Sequence, residues 1–176
     1  TARQVHYTLE AREAEYELLP LSVDQGLGVM IWSPLAAGLL TGKHTRDGFA
    51  GGSRQAQGWV EPPIRDWDRL WDIVDTLRDV AGERPVAQVA LAWLLRRPAV
   101  ATLVVGGRTE DQFAETLGAV DLVLTEDEVA RLDAVSRPPL IYPYWHQHQF
   151  AKPRFSEADW ALHAAQQVDG LEGYKP

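Results

Sequence analysis

The sequence predicts an α/β fold: about three parallel strands with helices, forming a sheet that does not close on itself. Three observations lead there. Short β-rich or apolar runs stand at Gln4–Leu9, Val29–Trp32 and Ala101–Val105. Segments of helical period lie between and after them. Strands alternating with helices imply parallel pairing through right-handed crossovers. Three parallel strands leave two bare edges, so the chain is expected either to be a fragment or to draw further strands from another polypeptide.

Each element has a local cause. Gln4–Leu9 alternates and is rich in β-formers, so it predicts a strand. Glu13–Gln25 carries Tyr16, Leu18, Leu19 and Leu21 at apolar positions and predicts a helix that Gly26 and Gly28 stop. Val29–Trp32 is continuously apolar, as parallel strands buried on both faces are. Residues 35–63 are Gly-bearing and aperiodic, and loops of that length are usually functional. Asp66 is the expected N-cap of a helix with a Trp67, Leu70, Trp71, Val74, Leu77 stripe ending at Gly82. Pro85 opens the next helix, which runs to Arg97. Ala101–Val105 predicts the third strand. Gly106-Gly107 turns into a helix over about 109–120, and Thr125-x-x-Glu128 is a capping box for a helix over about 126–136. From Arg137 the chain is rich in Pro and aromatics and reads as an irregular tail, with a weak helix expected near 156–167.

Bulk properties narrow the classes. With 176 residues, 45% hydrophobic and 24% charged, the chain suits one globular domain. A net charge of −8 disfavours nucleic acid and anionic membrane as partners. The absence of cysteine excludes disulfides and Cys-ligated metals. No apolar run reaches the roughly 20 residues that span a bilayer. The start lacks a signal-peptide core, which makes a cytoplasmic location the expectation. It also lacks an initiator Met, which suggests a chain trimmed or cut from something longer.

Four stretches carry a resemblance. They are Glu13-x-Glu15-x-Glu17-Leu18-Leu19-Pro20-Leu21 followed by Gly26-x-Gly28-Val29; Trp32-Ser33-Pro34-Leu35-Ala36-x-Gly38-x-Leu40-Thr41-Gly42-Lys43; Ala87-Gln88-Val89-Ala90-Leu91-Ala92-Trp93-Leu94-Leu95; and Val105-Gly106-Gly107-Arg108-x-x-x-Gln112. In this order and spacing, over about residues 3–135, the chain resembles the aldo-keto reductases. The resemblance implies the C-terminal part of a (β/α)8 TIM barrel, with strands six to eight present. A complete barrel typically needs about 250 residues. Residues 1–136 would then form a half-barrel with NADP-binding loops, and 137–176 the tail.

The resemblance also assigns roles. Gln4 would hydrogen-bond the nicotinamide carboxamide, and Trp32 would stack on the nicotinamide ring. Ser33, Pro34, Leu35 and Ala36, with Lys43, would hold the pyrophosphate, because backbone N–H groups and a cation suit anionic oxygens. Arg54 would reach over the cofactor. Gly106 and Arg108 stand where a helix begins, a place that favours anions, and Arg108 would pair the 2′-phosphate of NADP. Gln112 and Glu115 would touch the adenosine. Thr109-x-x-Gln112 is equally a capping box. Thr116 departs from the family's usual Asn, which weakens the adenine assignment.

The implied activity is NADPH-dependent reduction of an aldehyde or ketone, with this chain supplying the cofactor-binding part. The family's proton-donor Tyr and its Lys, Asp and His partners precede the sixth strand, so no catalytic residue is assigned here. His6, Tyr7 and Tyr16 match no motif for that role. The alternative is a catalytically incompetent NADP-binding or remnant module. The implied partners are NADP(H), a carbonyl substrate, and either the missing N-terminal half or other copies of the chain. His146-x-His148 has no acidic or Cys neighbour, and no metal is expected.

Overall fold

The computed structural model describes residues 1–59, 61–139, 141–150 and 154–158. Three five-residue strands, β1 (Ala2–His6), β2 (Gly28–Trp32) and β3 (Val100–Val104), form one sheet in the order β1-β2-β3. Both pairings are parallel. Val5 lies opposite Ile31 and His6 opposite Trp32, while Trp32 also lies opposite Val104. The register shifts once, between Val29 and Met30.

Side chains alternate across a strand, and the two faces of this sheet differ. Val5, Val29 and Ile31 are buried with the helices. Gln4, His6, Met30, Trp32, Thr102 and Val104 occupy the opposite face and are part-buried or exposed. The expectation that Val29–Trp32 is buried on both faces holds fully on one face only, since Met30 and Trp32 are part-buried, and in the neighbouring β3 Ala101, Thr102 and Val104 are exposed. Among the described residues, nothing in the sheet pairs with the outer edge of β3, and no layer covers this face. The result is an open α/β layer, part of a (β/α)8 barrel and not a closed one.

The helices pack on the other face. α1 (Leu18–Asp24) is shorter than expected, because a separate 3-10 turn at Glu13–Glu15 precedes it and its N-cap Glu17 has a non-helical backbone. α2 (Trp67–Ala81) begins where expected, with the Asp66 carboxylate accepting from the Arg69 N–H at 3.0 Å. Its Leu70, Ile73, Val74 and Leu77 are fully buried. Trp67, expected in that stripe, instead lies partly exposed against Phe49, with ring centroids 5.9 Å apart. α3 (Val86–Leu95) is apolar on nearly every side and correspondingly buried.

α4 (Glu110–Leu117) continues into a 3-10 turn at Gly118–Val120. α5 (Glu126–Ser136) carries the expected capping box between Thr125 and Glu128. The tail is not wholly irregular: α6 (Tyr144–Phe150) forms within it. Tyr16 secures this helix by stacking on Tyr144 with centroids 4.7 Å apart and donating to the Pro139 carbonyl. Most of the helix expected near 156–167 lies outside the described residues. No helix among those described is long and apolar enough to cross a membrane.

Candidate functional site

His6, Trp32 and Val104 end their strands side by side, so the segments that follow all leave one end of the sheet. The segment after β2 is a sequence of tight turns. Ser33, Ala36 and Ala37 take positive φ of 50°, 48° and 53°. Such conformations cost a non-glycine residue on the order of 1–2 kcal/mol and concentrate at ligand sites. The Ser33 hydroxyl accepts from the Ala37 N–H at 3.3 Å, and Ala36–Thr41 forms two short 3-10 turns separated by a kink. Pro34 and Ala36 are buried, and the Ala36 N–H is spent within the turn, donating to the Ser33 carbonyl at 2.9 Å. Leu35 packs partly against the core.

After β3, Gly106, Gly107 and Arg108 are exposed at the entry to α4. A Cβ on Gly107 would meet the Phe113 nitrogen at 2.9 Å and the Thr109 oxygen at 3.2 Å, so only glycine lets the turn lie this close to the helix. The Thr109 hydroxyl caps α4 by accepting from the Gln112 N–H at 3.2 Å. The reciprocal arm differs from a capping box, because the Gln112 Oε1 accepts from the Arg108 N–H at 3.1 Å and not from Thr109. Glu115 is exposed one turn along, and its carbonyl accepts from Gln88.

The two segments meet. The Arg108 guanidinium donates to the Gly52 carbonyl at 2.9 Å. Arg54 lies two residues from the Gly52 that Arg108 binds, and Lys43 is pushed below its ordinary value by burial and then by the charges of Arg108 and Arg54. Arg54 also sits over the Trp59 ring, 5.7 Å from its centroid. Trp59 in turn walls a cavity of about 310 Å³ with Phe49, Gln55 and Trp67. In an acidic chain such a cluster is a local reversal of charge, suited to an anion of more than one negative charge.

Gln4 and Trp32 lie elsewhere, on the uncovered sheet face; Gln4 is exposed opposite Met30. The sequence does not signal His6, whose ring is 4.5 Å from that of Trp32 at 38°. His6 Nδ1 stands 3.4 Å from the Trp32 carbonyl oxygen. Burial holds His6 below its ordinary value, against the opposing effects of that carbonyl and of Glu13.

An open α/β layer whose strand-end segments bring cations together is consistent with part of a (β/α)8 barrel. A model of the aldo/keto reductase family matches residues 1–137. The chain belongs to this family, as its C-terminal portion. It is 35% identical over 146 residues to a probable voltage-gated potassium channel subunit beta of Oryza sativa subsp. japonica, covering 75% of this chain and 42% of the relative. It is 35% identical over 136 residues to the uncharacterized oxidoreductase YrpG of Bacillus subtilis, covering 77% and 40%. It is 30% identical over 128 residues to the NADH-specific methylglyoxal reductase of Escherichia coli, covering 70% and 38%. The chain thus spans about two fifths of the length of these relatives.

Proposed function

We propose that this chain supplies the nucleotide-holding part of an NADPH-dependent carbonyl reductase acting on aldehydes or ketones. The observation that carries the reading is the convergence of Lys43, Arg54 and Arg108 at the end of the sheet where Trp32 stands. The bound nicotinamide would supply the hydride. The chain's own groups would bind and orient it: Ser33–Ala36 and Lys43 around the pyrophosphate, Arg54 above it, and Arg108 at the 2′-phosphate. Gly106 would let the backbone approach, Gln112 and Glu115 would border the adenosine, and Gln4 and Trp32 would fix the nicotinamide. Orientation is the main contribution such groups make to hydride transfer.

Proton donation to the carbonyl would come from the N-terminal portion of the barrel, whose strands would also cover the bare sheet face and line the substrate pocket. Nucleic acid and membrane are not partners in this reading, and the location is cytoplasmic. The open sheet supports a second reading, a module that holds NADP without turnover.

Two measurements separate these readings. Titration followed by tryptophan fluorescence should show NADP(H) quenching emission, and absence of nucleotide binding would overturn both. NADPH oxidation with 4-nitrobenzaldehyde should appear when the five preceding βα units are present and not with this chain alone. No turnover even with those units would leave only the binding module.

A further inference from the structure

We infer that His6 is a positioning residue for the nicotinamide platform: its side chain fixes the orientation of Trp32 from the neighbouring strand. The inference rests on the reading of Trp32 as that platform.

Two contacts converge on Trp32 from this one side chain. The rings stand 4.5 Å apart and tilted by 38°, while His6 Nδ1 lies 3.4 Å from the Trp32 carbonyl oxygen. A carbonyl oxygen only accepts, so Nδ1 carries the proton in this contact and Nε2 is the bare nitrogen. One side chain therefore constrains both the indole and the backbone where β2 ends and its turn begins. The register places His6 directly opposite Trp32 on the parallel neighbouring strand, so both side chains stand on the same face of the sheet. Among the described residues, His6 is the aromatic ring packed on Trp32.

Stability alone does not account for histidine here. His6 Nε2 is buried without a hydrogen-bond partner among the described residues. An unpaired buried acceptor is a cost that a phenyl ring in the same place would not carry. What histidine adds over phenylalanine is the tie from Nδ1 to the end of β2. That tie bears on where the indole sits, immediately before the strained turn at Ser33.

The test compares nucleotides with and without nicotinamide on the wild-type chain, His6→Ala and His6→Phe. In His6→Ala, NADP and NADPH should bind about tenfold more weakly, while 2′,5′-ADP, which lacks nicotinamide, should bind unchanged. Energy transfer from tryptophan to the reduced nicotinamide should fall in the same variant. In His6→Phe, the ring support should restore part of the NADPH affinity, and thermal stability should stay the same or rise. Equal loss for 2′,5′-ADP and NADP in His6→Ala would overturn the inference by showing general disruption, and so would unchanged NADPH affinity and energy transfer. If His6→Ala fails to fold, His6→Phe decides: full wild-type affinity and energy transfer overturn the backbone tie, and partial loss supports it. Failure of the wild-type chain to bind any of these nucleotides would sink the platform reading itself, an outcome distinct from a variant that binds normally.

Discussion

Arg108 Nη1 donates to the carbonyl oxygen of Gly52 at 2.9 Å, joining the segment after β3 to the long segment after β2. A guanidinium has five N–H donors, so this bond leaves others for an anion. Arg108→Ala should weaken NADP binding by about 10- to 100-fold, the size of one or two charge-assisted hydrogen bonds. NAD, which lacks the 2′-phosphate, should change by no more than about threefold. Calorimetric titration of both nucleotides checks this, and equal losses would remove Arg108 from the 2′-phosphate.

The two glycines beside Arg108 should behave oppositely. At Gly107 a Cβ would stand 2.9 Å from the Phe113 nitrogen, whereas at Gly106 it meets nothing within 4 Å. Gly107→Ala must push the first turn of α4 away, at about 1–3 kcal/mol. Gly106→Ala should stay within about 0.5 kcal/mol of the wild type. Urea denaturation of the pair measures the difference, and similar midpoints would mean that the turn yields freely.

The flanks of the layer predict self-association. Both outer strands have an unpaired edge among the described residues, and edges of this kind template pairing. Phe113, Leu117, Val120 and Val123 add exposed apolar groups on the β3 side, Val123 at 81% exposure. The chain by itself should sediment as oligomers or aggregate. Leu117→Lys together with Val123→Lys should shift the distribution toward monomer with little change in stability. A monodisperse wild-type monomer would contradict this.

Much of the fold was legible because its signals are local. Asp66, the Thr125 and Glu128 pair, and the Leu70, Val74 and Leu77 stripe all act within one or two helical turns. What escaped reading depends on distant partners. The run at β3 is apolar, but burial needs a covering layer, and Thr102 and Val104 have none among the described residues. The 3-10 segment at Ala36–Thr41 is too short and kinked to show a period. α6 hid in a Pro-rich stretch, since its anchor, the Tyr16–Tyr144 stack, spans most of the chain. At the site, the resemblance placed the cations around one cofactor, but the direct bond from Arg108 to the Gly52 carbonyl was not legible. The link between His6 and Trp32 appears only once the register of β1 on β2 is known.

Away from the site, a buried ionic network ties the first turn after β1 to α5 and predicts acid sensitivity. Arg12 bonds both oxygens of Glu15, at 2.7 and 3.0 Å, and reaches the Asp133 carbonyl and the Ser136 hydroxyl. Tyr7 donates to the same Glu15 carboxylate at 2.5 Å. Burial by itself would raise Glu15, but the Arg12 charge and the hydrogen bonds from Arg12 and Tyr7 outweigh it and hold the group below its ordinary 4.5. A carboxylate depressed in the folded state stabilises the fold above its unfolded pKa, and that contribution disappears as pH falls through the folded value. Urea midpoints should therefore hold from neutral pH down to about 5 and drop below about 4. Arg12→Ala should cost about 3–5 kcal/mol at pH 7, because it leaves Glu15 buried without its cation. Glu15→Gln should lower stability at pH 7 and flatten the acid limb of the profile. If its acid limb matches the wild type, Glu15 does not couple to folding and another carboxylate sets the acid transition.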